Sequence, residues 1–183
     1  MGSRSRAISS HFKENQKLVG VEVGVRYGKN AEALLGRLPN LTLCLVDRWE
    51  KPVRGDSYYN SGDGIADRPN GHFRKCYNEM LHRTKRYANR VHVRRQDSLS
   101  AAADFLKRGM AFDFIFIDAD HSYEGVKRDI QAWWLLVKDG GYLCGHDYNH
   151  PRIGEVKRAV DEVFDSVELM EDMTWFVKKN DKG

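Results

Sequence analysis

Acidic and histidine side chains lie at or near the ends of five hydrophobic runs in this chain. These residues are Glu22, Asp47, Asp97, Asp118 to His121, and His146 with Asp147. Carboxylates and imidazoles bind divalent cations, accept protons and hold hydroxyl or amine groups of ligands. In an open α/β sheet, ligands bind beyond the carboxyl ends of the strands. The sequence therefore predicts one polar site, provided that the five runs are strands of a single sheet.

The first three of these positions suit a ligand with an adenine and a ribose. Glu22-x-Gly24-x-x-x-Gly28 places two glycines where backbone can approach a ligand closely, although the Gly-x-Gly-x-x-Gly spacing of a dinucleotide site is absent. Asp47 suits the two hydroxyls of a ribose, and Asp97 with Ser98 suits an adenine amine. Taken singly, each acid is equally well explained as a helix N-cap or a turn residue. Together they favour binding.

Hydrophobic periodicity predicts strands that alternate with helices. The expected strands are Leu18 to Gly24, Leu41 to Val46, Val91 to Arg94, Phe112 to Ile117 and Gly141 to Cys144. The expected helices are Asn30 to Leu38, His72 to Tyr87, Ala101 to Arg108, Tyr123 to Val137 and Glu155 to Phe164. Two final runs, Val167 to Met170 and Thr174 to Lys178, are so close that only an antiparallel hairpin can join them. The predicted fold is therefore α/β, with a Rossmann-like, mostly parallel sheet of seven strands, helices on both faces and a C-terminal antiparallel hairpin.

Residues 1–183 are predicted to form a single domain, with residues 1–16 as an N-terminal extension whose basic side chains belong to a solvated face. Residues 50–71 show no periodicity and are rich in Gly, Asp, Asn, Tyr and Pro. A segment of this length and composition is expected to be a lid over the site or a mobile insertion. Within it, Tyr58, Tyr59 and Asn60 are candidates for lining an acceptor pocket.

The composition excludes several classes of protein. Among 183 residues, 41% are hydrophobic and 31% charged, and the formal net charge is +4. No apolar run approaches the roughly 20 residues that span a bilayer, and no secretory or myristoylation pattern is expected at the N-terminus. Cys44, Cys76 and Cys144 form no Cys-x-x-Cys pair, so a reducing, cytoplasmic compartment is expected. Basic residues are spread along the chain, so nucleic acid is an unlikely partner.

Between Leu18 and Lys178 the chain resembles the class I S-adenosylmethionine-dependent methyltransferases. Val21-Glu22-Val23-Gly24 with Gly28 is similar to the first motif of that family, Asp47 to its ribose-binding acid, and Asp97-Ser98 to its adenine-binding pair. The resemblance implies S-adenosylmethionine as cofactor, with Arg48 and Asp118 also in its pocket and Trp49 over the adenine. The terminal hairpin is also typical of that fold.

Two further segments resemble the metal-dependent O-methyltransferases, and most closely those that act on sugar hydroxyls. They are Ile117-Asp118-Ala119-Asp120-His121-Ser122-Tyr123-Glu124-Gly125 and Lys138 to Tyr148. The resemblance implies that Asp118 and Asp147 hold a divalent cation, Mg²⁺ or Mn²⁺, and that His121 is the general base. His146 stands where the family has a carboxylate, and is expected as a third ligand or as a hydrogen-bond donor behind the ligands. Asp120 is an alternative ligand to Asp118, a helix cap is the alternative role of His121, and a site without a metal stays open.

These resemblances imply transfer of a methyl group to a hydroxyl of a small molecule, preferably a sugar or glycoside. A catechol or caffeoyl-type phenol is the alternative acceptor. An NAD-dependent oxidoreductase and a non-catalytic module that binds a nucleotide or nucleic acid are the alternatives from other classes. Homo-oligomerisation is left open by the sequence.

Overall fold

The computed structural model describes residues 3–60, 64–151, 154–170 and 172–180 of the chain. Its sheet contains β1 (Leu18–Val23), β2 (Leu41–Asp47), β3 (Val91–Arg95), β4 (Phe112–Ile117), β5 (Val137–Gly145), β6 (Glu168–Leu169) and β7 (Trp175–Lys178). The order is β3-β2-β1-β4-β5-β7-β6. The first five strands in this order, β3, β2, β1, β4 and β5, are parallel to one another, and β7 is antiparallel to both of its neighbours. The predicted fold class is confirmed.

Helices cover both faces of this sheet. They are α1 (Ser3–Ser9), α2 (Lys29–Arg37), α3 (Asn70–Thr84), α4 (Ser98–Lys107), α5 (Tyr123–Trp134) and α6 (Glu155–Val163). Alternation along β4 separates the two hydrophobic clusters: Phe114 and Phe116 pack with α1, α2 and α3, whereas Ile115 and Ile117 pack with α4, α5 and α6. Because side chains alternate across a strand, one apolar run supplies both layers of the core.

The described N-terminal residues pack against the domain, although most of their basic side chains are exposed to solvent, as the sequence indicated. Ile8 on α1 is fully buried, and α1 packs against α2. Beyond the helix, the His11 ring stacks on Phe176 with 4.0 Å between centroids, and Phe12 lies 5.5 Å from Phe114. These contacts fix the position of α1 relative to the sheet. They also fix Arg4, the side chain that α1 directs toward the carboxyl ends of the strands.

The segment from residue 50 to residue 71 contains more regular structure than its composition indicates. A 3₁₀ helix spans Ser57–Asn60, and α3 begins at Asn70. Asp56 accepts hydrogen bonds from the Arg48 guanidinium (2.8 Å) and from the backbone N–H of Val53 (2.9 Å), which ties the segment to the end of β2. Residues 61–63 lie outside the described residues, so the lid stays a prediction.

Other boundaries shift by a few residues. α5 ends at Trp134 and β5 begins at Val137, both earlier than predicted. β5 includes the turn residues Lys138 to Gly140, and its pairing with β4 changes register between Phe112 and Phe114. The three cysteines are unpaired and buried, in keeping with small apolar groups. Across the described residues, no helix combines the length and the apolar character needed to cross a bilayer.

Candidate active site

A cavity of about 1300 Å³ opens beyond the carboxyl ends of the central strands. The strand order reverses between β1 and β4, and such a switch point is where open α/β sheets bind ligands. The predicted site residues that line the cavity are Glu22, Gly24, Asp47, Arg48, Asp97, Ser98, Asp118, His121 and Asp147. Gly28 and His146 are not among its lining residues. The structure thus brings most of the predicted residues to one rim of the sheet.

Glycine is required at two positions of the first turn, for a different physical reason at each. Both have left-handed backbone, with φ of 87° at Gly24 and 70° at Gly28. A Cβ on Gly24 would lie 2.1 Å from the carbonyl oxygen of Asp118, so glycine lets the turn pass against the end of β4. A Cβ on Gly28 would lie 2.8 Å from Cγ of Met80 on α3. The structure therefore gives Gly28 a packing role against α3, and its contact with the cofactor stays a prediction.

Asp47 connects the turns that follow β1 and β2. Its Oδ2 accepts a hydrogen bond from the backbone N–H of Arg26 (2.8 Å), and its Oδ1 accepts one from the N–H of Trp49 (2.7 Å). Burial raises the pKa of the Asp47 carboxyl above its ordinary value, and the backbone N–H groups oppose that effect. Each oxygen retains a second lone pair, so the carboxylate can still accept ligand hydroxyls.

The neighbours of Asp47 have structural partners of their own. Arg48 directs its guanidinium to Asp56 while lining the cavity. Trp49, expected over an adenine, is 2% exposed, donates from Nε1 to the Arg26 carbonyl (2.8 Å) and packs edge-on to Tyr77. It forms part of the cavity floor and of the core at the same time.

Asp97 and Ser98 begin α4 at the cavity wall. Asp97 is the N-cap, and its Oδ1 accepts the backbone N–H of Ser100 at 2.9 Å, so the capping role considered for it from sequence is present. Ser98 Oγ accepts from Trp133 Nε1 (2.8 Å) and donates to Asp129 Oδ1 (2.5 Å). Asp129 was not predicted from the sequence as a residue of the site. Its signal was an acid on the buried face of α5, three residues after Val126 and four before Trp133.

The buried Asp129 carboxyl makes stability depend on pH. Burial raises its pKa from 3.8 to about 7, so the folded protein holds a proton that the unfolded chain releases above pH 4. Each unit of this shift corresponds to about 1.4 kcal/mol, so the penalty grows between pH 4 and pH 7 to the order of 4 kcal/mol. Asp129→Asn accepts the same Ser98 hydrogen bond without a charge. We expect urea unfolding to show this variant to be more stable than wild type at pH 8, with the difference shrinking toward pH 4.

The exposed Asp165→Asn is the matched control and should show no such trend across the same pH range. An Asp129→Asn difference that is constant from pH 4 to pH 8 would mean that Asp129 is ionised in the folded protein throughout.

The acids after β4 and β5 meet around one histidine. His121 Nε2 lies 3.3 Å from Asp118 Oδ1 and 3.1 Å from Asp147 Oδ2. One potential ligand atom from each of these three residues lies within 4.8 Å of the others. Carboxylate oxygens with an imidazole nitrogen suit Mg²⁺ or Mn²⁺, so these residues fit the divalent cation implied by the sequence. Asp118 and Asp147 would hold it.

The structure also distinguishes the alternatives for nearby residues. Ser122, and not His121, caps α5, because Ser122 Oγ accepts the N–H of Gly125 at 3.1 Å. Asp120 Oδ1 accepts the N–H of Ser122 at 2.9 Å, so this carboxylate is turned toward the helix start. Among the described residues, Asp118 joins the three-residue group and Asp120 does not.

His146 lies behind Asp147 and outside the cavity. Its Nδ1 is 2.9 Å from Asp147 Oδ1, and its side chain is 7% exposed. Burial alone would raise the pKa of Asp147, but the imidazoles of His121 and His146 hold it far below its ordinary value. Asp147 has a left-handed φ of 61°, which turns its carboxylate inward while the preceding side chain points away. The structure therefore gives His146 the supporting position and not that of a third ligand.

Two further ionisable side chains, Glu22 and Arg4, line the same cavity. Glu22 is 2% exposed, and its Oε2 makes no hydrogen bond among the described residues. Burial raises the pKa of Glu22 to about 8. Arg4, from α1, places Nη1 2.8 Å from Asp118 Oδ2. No local pattern could have predicted Arg4 here, because it reaches the cavity only through the docking of α1.

Known proteins are similar to this chain in sequence. A family model described as a methyltransferase domain matches residues 21–148. An uncharacterized protein of Acanthamoeba polyphaga mimivirus is 31% identical over 80 residues, which cover 42% of this chain and 35% of that protein. The chain thus matches about a third of the length of that curated relative.

Solved structures share the fold at low identity. CalS11, a calicheamicin methyltransferase, has a TM-score of 0.72 at 15% identity, over 97% of this chain and 78% of CalS11. The O-methyltransferase NovP has a TM-score of 0.60 at 18% identity, over 96% and 75% of the two chains. An O-methyltransferase from Bacillus cereus, solved in complex with S-adenosylhomocysteine, has a TM-score of 0.60 at 15% identity, over 96% and 78%. The family model covers most of the chain and the class I methyltransferase fold is present, so this protein belongs to the methyltransferase-domain family.

Proposed function

We propose that this protein transfers a methyl group from S-adenosylmethionine to a hydroxyl oxygen of a small molecule, with a sugar or glycoside as acceptor. The observation that carries the proposal is the convergence of Asp47, Asp97, Asp118 and Asp147 on one cavity at the switch point of the sheet. Such an acid-rich cavity suits a sulfonium cation better than the pyrophosphate of a dinucleotide.

The donor half of the cavity is formed by β1, β2 and the start of α4. Asp47 is assigned to the ribose hydroxyls, because both of its oxygens are fixed by backbone N–H groups and directed at the cavity. Asp97 uses Oδ1 for the cap of α4, which leaves Oδ2 for an adenine amine. Glu22 lies between these residues and the acceptor end, with a buried oxygen that lacks a partner among the described residues.

The acceptor half is the group of Asp118, His121 and Asp147. A divalent cation held by the two carboxylates would lower the pKa of the acceptor hydroxyl and fix its oxygen. His121 is assigned to take the hydroxyl proton as the oxygen forms its bond to the methyl carbon. The bond between that carbon and the sulfonium sulfur breaks with its electron pair going to sulfur, which leaves a neutral thioether.

Polar side chains elsewhere along the cavity favour a polar acceptor. Arg48, Asp56 and Tyr58 line the cavity, and Arg48 is ion-paired with Asp56 at 2.8 Å. Hydroxyl-rich acceptors find hydrogen-bond partners on such walls, whereas a planar phenol needs an apolar slot. CalS11, one of the structural neighbours, is described as a TDP-rhamnose 3′-O-methyltransferase. A panel of nucleotide sugars, glycosides and catechols with S-adenosylmethionine tests this choice, and turnover of catechols alone would contradict the sugar assignment.

Isothermal calorimetry tests the donor directly. We expect S-adenosylmethionine and S-adenosylhomocysteine to bind at one site per chain, and NAD not to bind at the same concentrations, because the first turn lacks a third glycine. Asp47→Ala should weaken both adenosyl ligands about 10- to 100-fold, since hydrogen bonds to a charged group contribute about 1.5–3 kcal/mol. The exposed Asp165→Asn is the control. NAD binding in place of the two adenosyl ligands would contradict the proposed function.

A further inference from the structure

Helix α1 delivers one cationic side chain into the cavity. Ser5 and Ile8 are fully buried and hold the helix on the domain. Arg4 lies in the first turn of α1, just before these two residues, and it lines the cavity. Its guanidinium pairs with Asp118 at 2.8 Å, and its side chain is 39% exposed. Arg6, two residues further on, is exposed and does not line the cavity. The geometry therefore presents Arg4 specifically to the site.

The buried acid Glu22 lies close to this guanidinium, and its Oε1 accepts a hydrogen bond from Asn30 Nδ2 at 3.4 Å. Glu22 Oε2 makes no hydrogen bond among the described residues, although Glu22 lines the same cavity. The positive charge of Arg4 lowers the pKa of Glu22, while the charge of Asp118 raises it, so all three groups share one electrostatic environment. This wall thus offers a cation and a hydrogen-bond acceptor side by side, which suits a ligand that carries both signs of charge.

The other cations that line the cavity are engaged elsewhere or stand at its mouth. Arg48 pairs with Asp56, and Arg95 pairs with Glu50. Arg26 and Lys29 are exposed and lie over the Tyr27 ring, 5.0 and 5.9 Å from its centroid. Arg128 is exposed and donates from Nε to the Glu124 carbonyl at 3.2 Å. Arg4 is therefore the cation best placed to meet a ligand anion beside Glu22 and Asp118.

We infer that Arg4 binds the α-carboxylate of the methyl donor, exchanging its contact with Asp118 for the ligand. This inference rests on the proposed function, because the amino-acid end of S-adenosylmethionine carries an ammonium and a carboxylate. Glu22 Oε2 can accept a hydrogen bond from the ammonium. Arg4 matches the carboxylate, with which a guanidinium forms two parallel hydrogen bonds. The exchange also releases Asp118 Oδ2 for the acceptor half of the site.

Comparing S-adenosylmethionine with decarboxylated S-adenosylmethionine isolates this contact, because the two ligands differ in one carboxylate. Calorimetry in EDTA measures both dissociation constants for wild type, Arg4→Gln and Arg6→Gln. We expect wild type and Arg6→Gln to prefer the carboxylated ligand about 10- to 100-fold, and Arg4→Gln to lose this preference while still binding the decarboxylated ligand. Arg4→Lys keeps the charge without the planar fork and should show an intermediate preference.

The outcomes separate this inference from the proposed function. If Arg4→Gln or Arg4→Lys prefers the carboxylated ligand as strongly as wild type does, or if wild type shows no preference, Arg4 is only a counter-ion of Asp118 and the inference is overturned. If wild type binds neither ligand, the proposed function is overturned together with it. Circular dichroism confirms that each variant is folded, and Arg4→Lys serves as the reporter if Arg4→Gln does not fold.

Discussion

Asp147→Asn is expected to lower the rate of methyl transfer about 100- to 1000-fold while leaving the affinity for S-adenosylmethionine within about 3-fold of wild type. Asparagine tolerates the left-handed backbone at this position, where φ is 61°, so the variant changes charge more than conformation. The two neighbouring imidazoles hold the pKa of Asp147 far below its ordinary value, so wild type carries a full negative charge here. Steady-state assays with saturating donor, together with calorimetry of donor binding, measure both effects.

The same experiment tests the divalent cation. Treatment of wild type with EDTA should reproduce the loss of rate, and added Mn²⁺ should restore it, because Asp118 and Asp147 are the proposed ligands. The exposed Asp139→Asn, at the other end of β5, is the matched control and should retain the wild-type rate. Activity that survives EDTA while Asp147→Asn is inactive would contradict the cation and leave the carboxylate itself as the essential group.

His121→Gln is expected to slow methyl transfer about 100- to 10000-fold at saturating substrates, which is the range for loss of a general base. His121 Nε2 lies between Asp118 and Asp147, so it is near any hydroxyl that those carboxylates help to hold. The affinity for Mn²⁺, measured by calorimetry, should stay within about 5-fold of wild type if His121 acts as the base and the carboxylates as the ligands.

Two results would contradict this assignment. A fall in Mn²⁺ affinity that parallels the fall in rate would make His121 the third ligand of the cation, since one nitrogen cannot coordinate a metal and accept a proton together. An unchanged rate would exclude His121 from the chemistry. The exposed His92→Gln, at the start of the edge strand β3, is the control for a histidine away from the carboxyl ends of the strands.

The correct predictions share a physical origin in local pattern. All parallel strands of a sheet have their carboxyl ends at the same edge. An acid that directly follows such a strand is therefore predicted to lie at that edge. Glu22, Asp47, Asp97, Asp118 and Asp147 therefore converge without any knowledge of the distances between them. The antiparallel hairpin followed from the short connection between its two strands, whereas the order of the strands came only from the structure.

What local pattern could not determine was where individual side chains point and what distant segments contribute. Gly28 faces Met80 on α3, which follows α2 and β2 in the chain, and only the packing of α3 places it there. His146 points away from the cavity because the backbone reverses at Asp147. Arg4 meets Asp118 across 114 residues of sequence, through burial of Ile8 on α1.

The sequence by itself thus determined the class of the sheet and the acids at its rim, since periodicity and strand direction are properties of neighbouring residues. Only the tertiary structure decided that Arg4 and Asp129 belong to the site, that Gly28 packs against α3 and that His146 lies behind Asp147. Their positions depend on the docking of helices and on single backbone dihedrals, which are set by the free energy of the whole packed domain and not by adjacent residues.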